Sequence, residues 1–214
     1  MLKELRQYFR IKKYNNVKVK DAKINKNTIF EGNNSIEKRS YISDCYLGEY
    51  SYVGEDCKLR NVKIGRYCSL GNNIKVIFGN HPTNFVGTHP IFYEENDNFN
   101  PVKKVENTKW DVVIENDVWI GDNVSIFPGV TIKNGAIIGT NALVTKDVEE
   151  FSIVVGIPAK IIKYRFDKET VNEIKETKWW LKSKDELKVY KKYFHLPEEF
   201  VKNLNKNLLQ NKRG

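Results

Sequence analysis

The residues that most constrain this fold are aliphatic and recur at steps of six. Phe30, Ile36 and Ile42 lead to Leu47, Val53, Leu59, Ile64, Leu70 and Val76, with two steps of five among them. After an interruption the steps resume at Ile114, Ile120, Ile126, Ile132, Ile138 and Val144. Four residues after these aliphatics stand small or β-branched side chains, such as Val118, Val124, Val130, Ala136, Ala142 and Val148. The same slot in the first run holds Thr28, Asn34, Ser40, Cys45, Ser51, Cys57, Val62, Cys68 and Ile74. An amphipathic helix requires apolar spacing near 3.6 and a half-buried strand requires 2, roughly, so six fits neither. A short fixed period specifies a solenoid. The pattern predicts an all-β coil of three flat sides, with the aliphatic residue inward and the small residue at a tight corner. Gly48, Gly54, Gly65, Gly71, Gly121 and Gly139, and Asn73, Asn116, Asn123, Asn134 and Asn141, are expected to supply the left-handed backbone of those corners. Coils then stack at about 4.8 Å, each strand bonding to the coils above and below.

Hydrophobic residues make up 40% of the 214 and charged residues 29%, which suits a globular chain able to bury a core. No apolar stretch approaches the length of a transmembrane segment. The opening "MLKELRQYFRIKKYNN" scatters charge among its apolar residues, unlike a signal peptide, so the expectation is cytoplasmic. The net charge of +9 favours partners bearing phosphate or carboxylate, or the acidic face of a membrane. Nucleic acid is not expected, because the lysines are spread along the chain and no binding motif is present. Three cysteines without C-x-x-C spacing give neither a disulfide framework nor a zinc knuckle. All three fall in the small inward slots of the repeat.

The run "VWIGDNVSIFPGVTIKNGAIIGTNALVTKDV" resembles the hexapeptide-repeat acyltransferases, and the likeness extends from about residue 24 to 165. The closing "VTKDV" and "VVGIPAKIIKYRF", followed by "IKETKWW", are most similar to the xenobiotic (streptogramin and chloramphenicol) acetyltransferase branch, which also contains acetyltransferases of surface-polysaccharide sugars. The resemblance implies a left-handed parallel β-helix with an extruded loop and a C-terminal α-helical cap, assembled as a homotrimer. It divides the chain into an N-terminal extension (1–20), the β-helix (21–165, with the loop at 77–112) and a helical tail (166–214).

The interruption, "VIFGNHPTNFVGTHPIFYEENDNFN", places two histidines, His81 and His89, in a segment too long for a corner. Insertions in solenoids leave from one face, often the binding face, and long ordered loops are usually functional. A neutral imidazole suits acyl transfer to a hydroxyl. It accepts the proton as the oxygen attacks and can return it to the departing thiolate. Backbone N–H groups at the coil edge would stabilise the oxyanion. His81 is preferred as the base because it lies nearer the rigid coil and because Asn80-His81 matches the family's motif. His89 is read as a polar wall of the acceptor pocket, beside Asn80. Glu94, Glu95 and Asp97 are read as a solvated acidic loop tip, and His195 as irrelevant to the chemistry.

For the donor, acetyl-CoA, the family pattern places Asp122 and Thr140 at pantetheine, and Thr145 and Lys146 at the adenosine end. Lys160 and Lys163 would neutralise its phosphates. Taken singly, each lysine reads as an ordinary surface charge. Trp119 stands outward, which suits either the transfer site or trimer packing. No metal is expected.

After Pro158 the repeat stops. Val171, Ile174 and Leu181, then Leu187, Tyr190 and Phe194, approximate a helical stripe. Pro197 opens a further helix carrying Phe200, Leu204 and Leu208. Trp179 and Trp180 are read as an anchor for this cap.

The function expected is acetyl transfer from acetyl-CoA to a hydroxyl of a sugar or glycan precursor. The alternatives are an antibiotic (chloramphenicol or streptogramin) O-acetyltransferase and a non-catalytic β-helix scaffold. A γ-type carbonic anhydrase would need a third suitably placed histidine. A nucleotidyltransferase would need a separate nucleotide-binding domain.

Overall fold

A computed structural model describes residues 7, 11–77, 84–92 and 110–211. Consecutive strands of two to three residues go to three different sheets, and each sheet collects every third strand. One sheet has eight strands, the second six and the third five, and within the repeat every pairing is parallel. The chain therefore winds as a three-sided parallel β-helix. Lys75–Val76, for example, lies between Lys58–Arg60 and Ser125–Ile126.

The aliphatic steps form the core. Ile36, Ile42, Leu47, Leu59, Ile64, Leu70, Ile120, Ile126, Ile132 and Ile138 are all completely buried. The small slot is buried throughout, from Thr28 to Val148. Its polar members find backbone partners: Ser40 Oγ donates to Gly54 O at 2.8 Å and Ser51 Oγ to Gly65 O at 2.6 Å. The cysteines do the same, Cys68 Sγ lying 2.8 Å from Glu115 O.

The corners divide their work differently from the expectation. Left-handed backbone is supplied by Asn73, Asn123 and Asn141, but also by Arg39, Asp44, Asp56 and Asn61. Asn116 and Asn134 stand one residue earlier, the left-handed positions being Asp117 and Gly135. The two asparagines instead form a ladder between coils, with Arg66 N donating to Asn116 Oδ1 and Asn116 Nδ2 to Asn134 Oδ1, both at 2.9 Å. The glycines after the aliphatic residue are not left-handed. They are needed because coils touch there: a Cβ on Gly65 would lie 2.7 Å from the Glu115 carbonyl.

The corner joining the five-stranded to the eight-stranded sheet carries bulky residues. Asn33, Tyr50, Tyr67, Asp117, Gly135 and Phe151 stack there, each at positive φ. From Tyr50 onward each donates its N–H to the coil below, as Tyr67 does to Glu49 O at 3.0 Å. Left-handed backbone costs a bulky side chain roughly 1–2 kcal/mol. Aromatic packing offsets it: Tyr50 stacks on Tyr67 at 5.1 Å, and Tyr67 meets Trp179 at 5.0 Å.

The last strands, Ser152–Val155 and Lys160–Tyr164, pair antiparallel and end the eight-stranded sheet. Helices Lys168–Thr177, Lys184–Lys188 and Pro197–Asn211 follow. Asp167 caps the first through Thr170 N, and Ser183 forms a capping box with Glu186 in the second. Val171, Ile174, Trp179, Trp180, Leu187, Tyr190, Phe200 and Leu204 form a second core over Phe151 and Tyr67. The tail thus packs beside the bulky corner. Two members of the expected stripe are not buried: Leu181 is 59% exposed and Phe194 46%. No described helix is long and apolar enough to cross a membrane.

Candidate active site

The interruption sits at the corner between the six-stranded and five-stranded sheets. Its near end is tied by Ile77 N to Ile126 O at 2.9 Å, and its far end by Asp111 N to Asn61 O at 2.8 Å. Strand Val112–Ile114 then pairs with Val62–Ile64 in register, so the coil closes as though nothing had been inserted. Asn80, His81, Glu94, Glu95 and Asp97 lie outside the described residues.

His89 is described and exposed. Its carbonyl accepts from Phe92 N at 3.1 Å and its Nδ1 from Ile91 N at 3.2 Å, which starts the short 3-10 turn Pro90–Phe92. That hydrogen bond occupies the Nδ1 lone pair and leaves Nε2 as the ring's remaining polar atom. His89 is thus engaged in shaping its own segment.

The expected donor residues fall on one corner and the end above it. Asp122 and Thr140 lie on successive coils, and Asn141 N donates to Asp122 O at 2.9 Å. The two coils approach so closely that a Cβ on Gly121 would sit 2.7 Å from Thr140 Oγ1. Asp122 Oδ1 accepts from Asn72 N at 2.6 Å, so its side chain is committed to the coil below. Thr140 is exposed at the same corner. The next step up is Gly156, and Val155 beside it has Lys160 as its strand partner. Asp122, Thr140 and Lys160 therefore follow one line toward the C-terminal end.

Thr145 and Lys146 close the last turn of the six-stranded sheet. Leu143 beside them exchanges hydrogen bonds with Gly156 and Ala159, which brings this turn near Lys160. Lys163 stands apart, opposite Ile153 in the eight-stranded sheet. Lys146, Lys160 and Lys163 are all exposed.

Trp119 is 55% exposed. It belongs to an outward row in register along the eight-stranded sheet: Tyr52, Ser69, Trp119, Ile137, Ile153. In sequence only Trp119 stands out from this row. The missed signal is the residue just before each inward aliphatic, which is apolar at Tyr52, Ile137 and Ile153 where a solvated coil would be polar. Among the described residues no group of three or more His, Cys, Asp or Glu is placed to hold a metal ion.

A family description, bacterial transferase hexapeptide (six repeats), matches residues 111–146. The chain is 40% identical over 166 residues to a chloramphenicol acetyltransferase of Agrobacterium fabrum, covering 68% of this chain and 79% of that one. The chain belongs to the hexapeptide-repeat acyltransferases. Acetyl transfer is accordingly the activity of this acyltransferase. It is also 33% identical over 125 residues to a putative lipopolysaccharide biosynthesis O-acetyl transferase, WbbJ, of Escherichia coli, covering 58% of this chain and 59% of that one. Among solved structures it resembles PerB of Caulobacter crescentus, in complex with CoA and GDP-perosamine, with a TM-score of 0.51 at 18% identity, covering 74% of this chain and 65% of that one. That likeness establishes the left-handed parallel β-helix of the acyltransferase.

Proposed function

We propose that the protein moves an acetyl group from acetyl-CoA to a hydroxyl of a sugar or glycan precursor, as a cytoplasmic homotrimer. The observation that carries this reading is the insertion, anchored at both ends to a coil that closes in register around it. A rigid frame with one long excursion can hold a reactive group against a neighbouring surface. The enzyme class rests on the family, whose members include both antibiotic and sugar acetyltransferases.

In this reading His81 takes the proton from the acceptor hydroxyl as its oxygen bonds to the acetyl carbon. The carbon–sulfur bond then breaks and the proton passes to the departing thiolate. Thr140 and Asp122 offer backbone groups along their corner to pantetheine. Lys160 with Lys146 meets the phosphates, and Lys163 serves from farther along the strand of Lys160. Trp119 and its row form the face toward a second protomer, across which His81 and Asn80 act. His89 borders the acceptor.

The test is acetyl-CoA turnover against a panel of nucleotide sugars, oligosaccharides and chloramphenicol, with molar mass measured by light scattering. Turnover on saccharides with a trimeric mass is expected. Turnover confined to chloramphenicol would assign the protein to antibiotic modification instead, and coenzyme A binding without any turnover would make it a scaffold.

A further inference from the structure

The tail leaves a groove of about 630 Å³ between itself and the bulky corner. Its floor is the stacked pair Tyr50 and Tyr67, and Leu187 and Phe194 contribute an apolar wall. A concave, largely apolar site of this size is what an apolar ligand portion requires. The rim is cationic. Lys184, Lys188 and Lys191 border it against a single carboxylate, Asp185. Among the described residues none of these three ammonium groups has an ion-pair or hydrogen-bond partner, whereas Lys182 nearby pairs with Glu186 at 4.0 Å.

The surrounding segment has the same character. Residues 178–196 contain six lysines against Asp185 and Glu186. They also expose large apolar side chains: Leu181 at 59%, Val189 at 64%, Phe194 at 46% and Leu196 at 45%. A solvated face would not expose these large apolar side chains, and a neutral protein partner would not call for three unpaired ammonium groups around an apolar trough. Apolar side chains interleaved with lysine match an interface of acyl chains beneath phosphate headgroups.

We propose that this segment docks on an anionic phospholipid bilayer, the groove taking lipid hydrocarbon over Tyr50 and Tyr67 while Lys184, Lys188 and Lys191 meet lipid phosphates. The docking is peripheral and reversible, since no described helix is built to span the membrane. It is separate from Asp122 and Thr140, which lie on another corner of the coil.

Cosedimentation of the full chain with vesicles tests this. Binding to mixed phosphatidylcholine and phosphatidylglycerol vesicles is expected, with little to phosphatidylcholine alone and a steep loss as salt is added. Replacing all three lysines (K184Q, K188Q, K191Q) should weaken binding by about a hundred-fold, at roughly 1 kcal/mol per lysine. V189D should weaken it as well. A control triple variant, K23Q, K58Q and K75Q, removes the same charge from the outward row of the six-stranded sheet and should bind as the wild type does. Equal losses in the two triple variants would reduce the effect to net charge and overturn the proposal. Absence of binding to either vesicle, or equal binding to both, would do the same. A changed molar mass in the tail variant would overturn it too, by assigning the groove to a second copy of the chain. Unaltered melting of each variant shows that the fold is intact.

Discussion

Arg165 Nη1 lies 2.9 Å from Asp117 Oδ2 and 2.8 Å from the Gly135 carbonyl, joining the end of the last strand to a corner two coils earlier. The guanidinium also sits over the rings of Phe151 and Phe166, at 5.4 and 5.3 Å. This contact fastens the tail to the coil. Burial pushes the Asp117 carboxyl above its ordinary range, and Arg165 opposes that shift.

Replacing Arg165 with Gln should therefore destabilise the protein by about 1–3 kcal/mol at neutral pH, the cost of a poorly solvated, unpaired carboxylate. The sign of the pH dependence follows from the raised pKa. The folded state holds the Asp117 proton more tightly, so that contribution is complete below the unfolded value and lost as pH rises through the folded one. Denaturant melts of R165Q at neutral and mildly acidic pH should show a smaller deficit in acid. An unchanged deficit would mean that Arg165 acts through packing alone.

Burial pushes the Cys45 and Cys68 thiols up to about 12 and Cys57 to about 11. A thiol reagent at pH 8 should leave all three unmodified in the folded protein and label all three once it is unfolded. Above the unfolded thiol pKa, near 9, the denatured chain releases protons that the native chain keeps. Stability should accordingly fall as the solution becomes more alkaline. Rapid labelling of the native protein would contradict the burial.

A methyl group added at Gly65 must displace the Glu115 backbone. G65A should cost about 1–3 kcal/mol in chemical denaturation and leave the Michaelis constant for acetyl-CoA unchanged. G121A displaces Thr140 instead, at the corner proposed for the donor. It should raise that Michaelis constant in addition to its effect on stability. Equal kinetic effects would remove Thr140 from the donor site.

His81→Ala should lower turnover by about 10²–10⁴-fold while coenzyme A affinity, read by calorimetry, stays the same. His89→Ala should be milder, because Nδ1 of His89 is already taken by Ile91 N. The reverse ranking would transfer the role of base to His89.

The coil was legible because its period is covalent arithmetic: inward aliphatics such as Ile120 and Ile126 must recur whenever three sides close. The cysteines were legible for the same reason, as volumes in a repeated slot. The corners were less so. Asn116 and Asn134 look like their left-handed neighbours in sequence, and only the ladder between coils separates their roles. The tail was legible as helices but not as a packing partner of Tyr50 and Tyr67. Nothing local marks a tyrosine at a corner as the seat for a tryptophan more than a hundred residues later in the chain. The residues proposed for the donor come from the family pattern alone, and the structure adds only which of them share a corner.

Asp111 rests on Asn61 where an ordinary corner residue would have rested. The stack is therefore indifferent to how much polypeptide intervenes between Ile77 and Asp111. Descendants of this chain can lengthen, shorten or rewrite that excursion without shifting a single rung of the scaffold.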